Sequence, residues 1–175
     1  YDLEKRVGLI VDEWGSWLAV EPGTNPGFLY QQNTIRDAML ASLTLNIFHK
    51  HSDRVHMANI AQMVNVLQSM ILTDGDKMIK TPTYHVFSLY KNHMDATKID
   101  SWGDTKETTS YTATKKDGVM TLSFCNYAID ESDEVTLDLG FNIQDVHAEV
   151  LVGETMDAHN TFEEPERVNV EVFSG

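Results

Sequence analysis

"VGLIVDEWGSW", residues 7–17, is the stretch on which the fold turns. From Val7 to Val11 the residues are almost all apolar and mostly branched, the pattern of a strand buried on both faces, as strands of parallel sheets are. The run then meets Asp12, Glu13, Trp14, Gly15 and Trp17, and the following "EPGTNPGF" (21–28) carries two prolines and two glycines. That is loop chemistry and cannot continue a strand. A carboxylate therefore stands at the C-terminal end of a strand with a long loop behind it. Strand alternation turns Asp12 to the side opposite Glu13.

Working outward, "TIRDAMLASLTLNIFHKH" (34–51) places Ile35, Met39, Leu43 and Ile47 at fourfold spacing with Asp37 in the first turn. Asn33 or Thr34 caps this helix, and Ser52 and Asp53 break it. "RVHMANIAQMVNVLQSMIL" (54–72) carries both strand and helix character, and its centre reads as a strand. "TDGDK" turns the chain, and Thr81-Pro82 opens a second helix with Val86, Leu89 and Tyr90 on one face. The order strand, loop, helix, strand, loop, helix describes two β/α units.

Near residue 95 the character changes. "DATKIDSWGDTKETTSYTATKKDG" (95–118) is polar and threonine-rich, and after it polar Thr121, Ser123 and Asn126 interleave with apolar Val119, Leu122 and Phe124, with strict period-two alternation over 121–124. "EVTLDLGF" (134–141), "AEVLVG" (148–153) and "RVNVEVF" (167–173) continue as short antiparallel strands. A β-sandwich is their natural closure. Residues 1–94 and 95–175 thus read as two domains. Tyr111, Phe124, Tyr127, Phe141, Phe162 and Phe173 are the aromatics of the second, mostly at positions that read as core.

The 175 residues suffice for a core that buries roughly 70% of the unfolded surface. With 42% hydrophobic and 23% charged residues the chain falls in the ordinary globular class. A net charge of −14 repels phosphate backbones and anionic lipid surfaces, so neither nucleic acid nor membrane is an expected partner. The single cysteine, Cys125, makes no internal disulfide; it fits a reducing, cytoplasmic compartment, with secretion left open. Cys125 within "LSFCNYA" reads as a small buried hydrophobe. No apolar run approaches the ~18 residues that span a bilayer, and the start lacks the features of a signal peptide. The first residue, Tyr1, and the abrupt end after "VNVEVFSG" read as those of a piece of something longer.

His49, His51 and His56 have no ligand-like spacing, since i and i+2 face different sides of a helix. No metal and no cofactor is expected. "DESDEV" (130–135) reads as a solvated turn, with calcium binding as the alternative.

Over residues 7–90, from "VGLIVDEWGSW" through "EPGTNPGFLYQQNTIRDAMLASL" to "HMANIAQMVNVLQSMILTDGDKMIKTPTYHVF", the chain resembles the α-L-arabinofuranosidases of glycoside hydrolase family 51. The remainder is similar to that family's C-terminal β-sandwich. The resemblance implies the last two β/α units of a (β/α)8 barrel followed by a jelly-roll-like sandwich. It further implies retaining hydrolysis of terminal α-L-arabinofuranosyl groups from oligo- or polysaccharides, and a homo-oligomer. Glu13 of "DEWG" falls on the family's nucleophile, at the end of the seventh barrel strand. Strand ends at the top face are where barrel active sites are built. Trp17 matches a tryptophan lining the sugar cleft, Gln62 of "NIAQMVNV" a glutamine that contacts arabinose, and Trp14 supports the strand end. A retaining mechanism needs a second carboxyl about 5–5.5 Å away. In the family this is the glutamate of an Asn-Glu pair, and this sequence contains no Asn-Glu dipeptide. The acid/base is therefore expected outside the chain, in the N-terminal part of the same enzyme. The competing reading is a non-catalytic carbohydrate-binding or assembly module, which a row of exposed aromatics on residues 110–175 would favour.

Overall fold

The computed structural model describes residues 2–173, with the backbone alone at Phe173. Strands β1 (Leu9–Trp14) and β2 (Val55–Ile60) pair in parallel and are joined by helix α1 (Ile35–Lys50). A hairpin of β3 (Ile71–Asp74) and β4 (Lys77–Lys80) comes after β2, turned by Gly75 at φ +58° and Asp76. Helix α2 (Pro82–Tyr90) comes next. Then β5 (Thr97–Lys98), β6 (Thr109–Lys116) and β7 (Val119–Asn126) form an antiparallel sheet. A last antiparallel pair joins β8 (Ala148–Leu151) to β9 (Val170–Phe173).

The two helices start where local chemistry dictates. Thr34 caps α1 in a reciprocal capping box with Asp37, and Thr81 caps α2 with Pro82 in the first turn. The first free amides of α1 are also taken up by a distant segment: Ile35 N–H donates to the Ala158 carbonyl and Arg36 N–H to Met156, each at 3.0 Å. That segment is pinned in turn by Asn160, whose side-chain amide donates to the Lys80 and Val168 carbonyls at 2.9 Å.

Between β1 and the helices lies the main apolar core. Trp14 packs edge-on against Phe48 at 5.4 Å and stacks on Phe87 at 6.1 Å, with Ala38, Ala41, Val86 and Tyr90 buried around it. Such aromatic pairs each contribute about 0.5–1.5 kcal/mol beyond burial. Trp14 therefore supports the strand end, as its sequence position suggested. Cys125 is buried, and burial pushes its thiol up from the ordinary value.

Several expectations require correction. Among the described residues β1 is not covered on both faces: Leu9 and Ile10 are 48% and 57% exposed, and β2 is its one ladder partner there. Residues 54–72 are strand at Val55–Ile60 and again from Ile71, while the centre that reads as strand, residues 61–70, is loop. "EVTLDLGF" forms no strand; Val135, Leu137 and Phe141 are exposed, and no neighbour offers the ladder their alternation implied. Phe124, Tyr127 and Phe141 are exposed rather than core, while the Phe173 side chain lies outside the described residues.

The reason for the exposed aromatics is the facing of the sheet. β6 and β7 turn their hydroxyl face, Ser110, Thr114 and Ser123, toward the helices, so Tyr111 and its cross-strand neighbour Phe124 look away. The helices answer with polar groups. Asn46 donates to the Ser110 hydroxyl at 3.0 Å and accepts from the Tyr90 hydroxyl at 2.8 Å. Burial pushes that phenol up to about 12. His93 hydrogen-bonds Thr114 through Nδ1 and Ser123 through Nε2, both at 2.8 Å, and its ring lies 4.9 Å from that of His49.

Burial, with the neighbouring His49, lowers His93 to about 4. Its folded value thus lies below the unfolded value of about 6.5, so the unfolded chain binds the proton first as pH falls. The associated stability is present above pH 6.5 and is lost progressively toward pH 4. We expect the melting midpoint of the protein to drop by on the order of 5 °C between pH 7 and 5, with a smaller drop in His93→Gln, as read by calorimetry.

Candidate functional site

Glu13 is the last residue but one of β1, exposed at the C-terminal end of a parallel strand. Neighbouring parallel strands lie about 4.8 Å apart. Trp14 pairs with Ile60, and the Ala61 amide donates to the Trp14 carbonyl at 2.8 Å. Gln62 comes directly after Ala61, also exposed, so Glu13 and Gln62 emerge from adjacent strand ends on one edge of the β1–β2 pair. Its backbone amide donates to Leu67 at 2.6 Å, which folds the loop after β2 back on itself, and the Ala61–Gln62 peptide is cis. Trp17 stands 72% exposed four residues beyond Glu13.

Beneath these exposed groups is a buried polar lattice. The wholly buried Asp37 carboxylate accepts from the Ser16 hydroxyl at 2.7 Å, the Thr34 amide at 2.9 Å and the Arg36 guanidinium at 2.9 Å. Gln68, also wholly buried, accepts from the Ser16 amide at 2.6 Å and donates to the Asp37 carbonyl at 2.9 Å. Gln31 donates to the Ser16 hydroxyl at 3.1 Å and accepts from the Leu18 amide at 2.9 Å. Both sides of Trp17 are thereby fixed through backbone, leaving the ring free.

Gly15 is required at this junction. Its φ of +150° is rare for other residues, and a Cβ there would sit 3.0 Å from both the Ala61 carbonyl oxygen and Gln68 Oε1. Farther along the loop, Glu21 accepts from the Gln32 amide at 2.9 Å while its own amide donates to Tyr30 at 2.9 Å. Burial, with the Glu21 charge, pushes the Tyr30 phenol up.

At neighbouring strand ends an exposed carboxylate can attack an electrophilic carbon and an exposed amide can hydrogen-bond hydroxyls, and an exposed indole in the loop after β1 can pack on an apolar ring face. Among the described residues no three His, Cys, Asp or Glu side chains cluster as metal ligands. Asp37 in its capping box was legible from the sequence. Gln31 and Gln68 were not, because nothing local distinguishes a buried glutamine from a solvated one.

An arrangement of a β/α unit, a hairpin, a second helix and antiparallel sheets is the fold shared with known arabinofuranosidases. A GH51 arabinofuranosidase from Xanthomonas axonopodis pv. citri superposes with a TM-score of 0.88 over the whole chain at 44% identity, the match covering 38% of that protein. The thermostable GH51 α-L-arabinofuranosidase of Thermotoga petrophila shares the fold at a TM-score of 0.73 over 95% of this chain and 38% of its own, at 23% identity. In sequence, an intracellular exo-α-L-arabinofuranosidase of Bacteroides ovatus is 47% identical over 189 residues, covering 99% of this chain and 36% of that protein. The α-L-arabinofuranosidase C-terminal domain profile matches residues 12–175. The chain belongs to that family, the C-terminal domain of glycoside hydrolase family 51 arabinofuranosidases. It spans about a third of the length of these relatives.

Removing the carboxylate that orders this edge has a defined cost. Asp37→Ala leaves the Ser16 hydroxyl and the Thr34 amide unpaired in a buried site and should destabilise the protein by about 3–5 kcal/mol. Denaturant titration measures it, with Asp37→Asn expected to lose less.

Proposed function

We propose that this chain is the C-terminal part of a retaining α-L-arabinofuranosidase in which Glu13 is the nucleophile and the acid/base glutamate lies outside the chain. The observation that carries this reading is the exposed Glu13 at a parallel strand end, beside Gln62 on the neighbouring strand end. In the reaction, a Glu13 carboxylate oxygen attacks the anomeric carbon while the external acid protonates the departing glycosidic oxygen. The glycosyl ester is then opened by water that the same external group deprotonates, giving net retention. Trp17 offers its face to the C–H side of the sugar, and Gln62 offers donor and acceptor to ring hydroxyls.

The architecture that goes with this function is the end of a (β/α)8 barrel over residues 1–94 and a jelly-roll-like sandwich over 95–175. The uncovered Leu9 and Ile10 of β1 support the first, since a further barrel strand would cover them. The outward Tyr111 and Phe124 support the second, as one wall of a sandwich core. The substrate is an arabinose-containing oligo- or polysaccharide, the first partner is the remainder of the same enzyme, and the enzyme self-associates. A cytoplasmic location accords with the intracellular relative from Bacteroides ovatus; among the described residues no helix is long and apolar enough to cross a membrane.

Exposed Phe124 and Tyr127 favour the second reading, a non-catalytic carbohydrate-binding module. That reading requires retention on an arabinan gel that Phe124→Ala abolishes, and no covalent chemistry at Glu13.

The decisive experiment is trapping. With a slow arabinofuranosyl substrate, the intact enzyme should carry a pentosyl mass on the "VDEWGSW" peptide, at Glu13 and not Asp12; label elsewhere, or an inverted product by NMR, removes the assignment. Glu13→Gln should lower turnover by several orders of magnitude while substrate still binds. Trp17→Ala should be milder, costing about 1–3 kcal/mol, chiefly in KM. The 175-residue chain alone should not hydrolyse aryl α-L-arabinofuranosides above a Glu13→Ala control, because general acid catalysis worth about 10²–10⁴ is missing.

A further inference from the structure

A cleft of about 270 Å³ opens where three separate segments meet. The loop after β1 contributes Asn25, Phe28 and Tyr30, the segment after β2 contributes Asn65 and Thr73, and the connection between β8 and β9 contributes Phe162. The first two segments leave the same ends of β1 and β2 that carry Glu13 and Gln62. We infer that this cleft is a separate sugar subsite, holding a neutral arabinofuranosyl unit of the substrate chain away from the bond that is cleaved. The inference rests on the proposed hydrolase function and extends it to the outer part of the substrate.

The walls suit an uncharged, hydroxyl-rich ring. Three aromatic side chains line the cleft together with amides and hydroxyls, and none of its lining residues is charged. Aromatic faces suit the C–H face of a sugar, and amides and phenols serve hydroxyls both ways. The protein's −14 charge disfavours an anionic occupant. The size suits one furanose ring and falls just below the ~300 Å³ lower bound of drug-sized pockets.

The polar groups divide by duty. Asn65 is committed to the wall: its side-chain amide donates to the Thr73 carbonyl and, at 2.8 Å, to the Thr73 hydroxyl, and its oxygen accepts from the Thr73 amide at 2.8 Å. Asn25 uses only its oxygen, which accepts from the Gly27 amide at 2.9 Å. Its two N–H donors and the Tyr30 hydroxyl have no partner among the described residues, and both residues line the cleft. They are the hydroxyl-reading groups.

Phe28 is the exposed wall. It is 70% exposed, yet its backbone is held: Asn25 caps the short turn Pro26–Phe28, and Leu29 closes it in the left-handed conformation. A large ring presented on a fixed turn loses little conformational freedom when a ligand stacks on it.

The test measures binding directly, in the intact enzyme carrying Glu13→Gln so that ligand is not consumed. The probe is a linear α-L-arabinofuranosyl tetrasaccharide titrated by calorimetry. Phe28→Ala should weaken its affinity about three- to tenfold, while Phe28→Tyr, which keeps the ring, should bind like the parent. Because Phe28 is largely exposed, both variants should melt with the parent. Parent-like affinity in Phe28→Ala overturns the subsite, and so does equal weakening in both variants, which would assign the effect to loop packing. The outcome is separable from the catalytic assignment: a trapped ester at Glu13 with no Phe28 effect removes the subsite alone, and Phe28-dependent binding without a trapped ester removes the nucleophile alone.

Discussion

The Asp37 carboxylate, wholly buried at the first turn of α1, is the group on which the strand-end geometry depends. It closes the helix cap through Thr34, pairs with Arg36, and receives the Ser16 hydroxyl from the chain leaving β1. A buried charge is tolerated only when it is paired and its lone pairs are filled, and these partners do both. Gln68 completes the arrangement from the loop after β2. Three segments distant in sequence are thereby locked at the edge from which Glu13, Trp17 and Gln62 project. The residues proposed for chemistry are exposed, while those that aim them are buried; a site is precise only when its supporting groups are themselves held.

A second polar layer joins the helices to the β6–β7 sheet, and it determines which way that sheet faces. Asn46 and His93 present hydrogen-bonding groups that an apolar sheet face would leave unpaired, at about 1–3 kcal/mol for each orphaned group. Ser110 pairs with Asn46, Thr114 and Ser123 with His93, while the Tyr90 hydroxyl is held within the helical layer by Ser42 and Asn46. The apolar side, with Tyr111 and Phe124, is consequently directed outward. The same layer gives the fold an acid-sensitive element, since burial and the neighbouring His49 disfavour the charged form of His93.

The sequence by itself determined the local structure and the chemically distinctive positions. Thr34, one of two cap candidates, marked the start of α1, Thr81-Pro82 that of α2, and "TDGDK" a turn, because caps and turns are satisfied within a few residues; the β3–β4 hairpin built on that turn was not read from the sequence. The apolar run ending in Glu13 marked a strand-end carboxylate for the same reason. Tertiary structure alone decided which sides of these elements are covered. Leu9 and Ile10 read as buried and are exposed among the described residues, "EVTLDLGF" alternates and forms no ladder there, and Ser123, which alternates with Leu122 and Phe124, lies on the face packed against the helices. Period-two alternation says that a strand has two different faces, but not which one meets a neighbour, and here the neighbour is polar. Gln31 and Gln68 were silent for a related reason: an amide acquires its role from partners 13 to 52 residues away, and those partners exist only once the chain has folded.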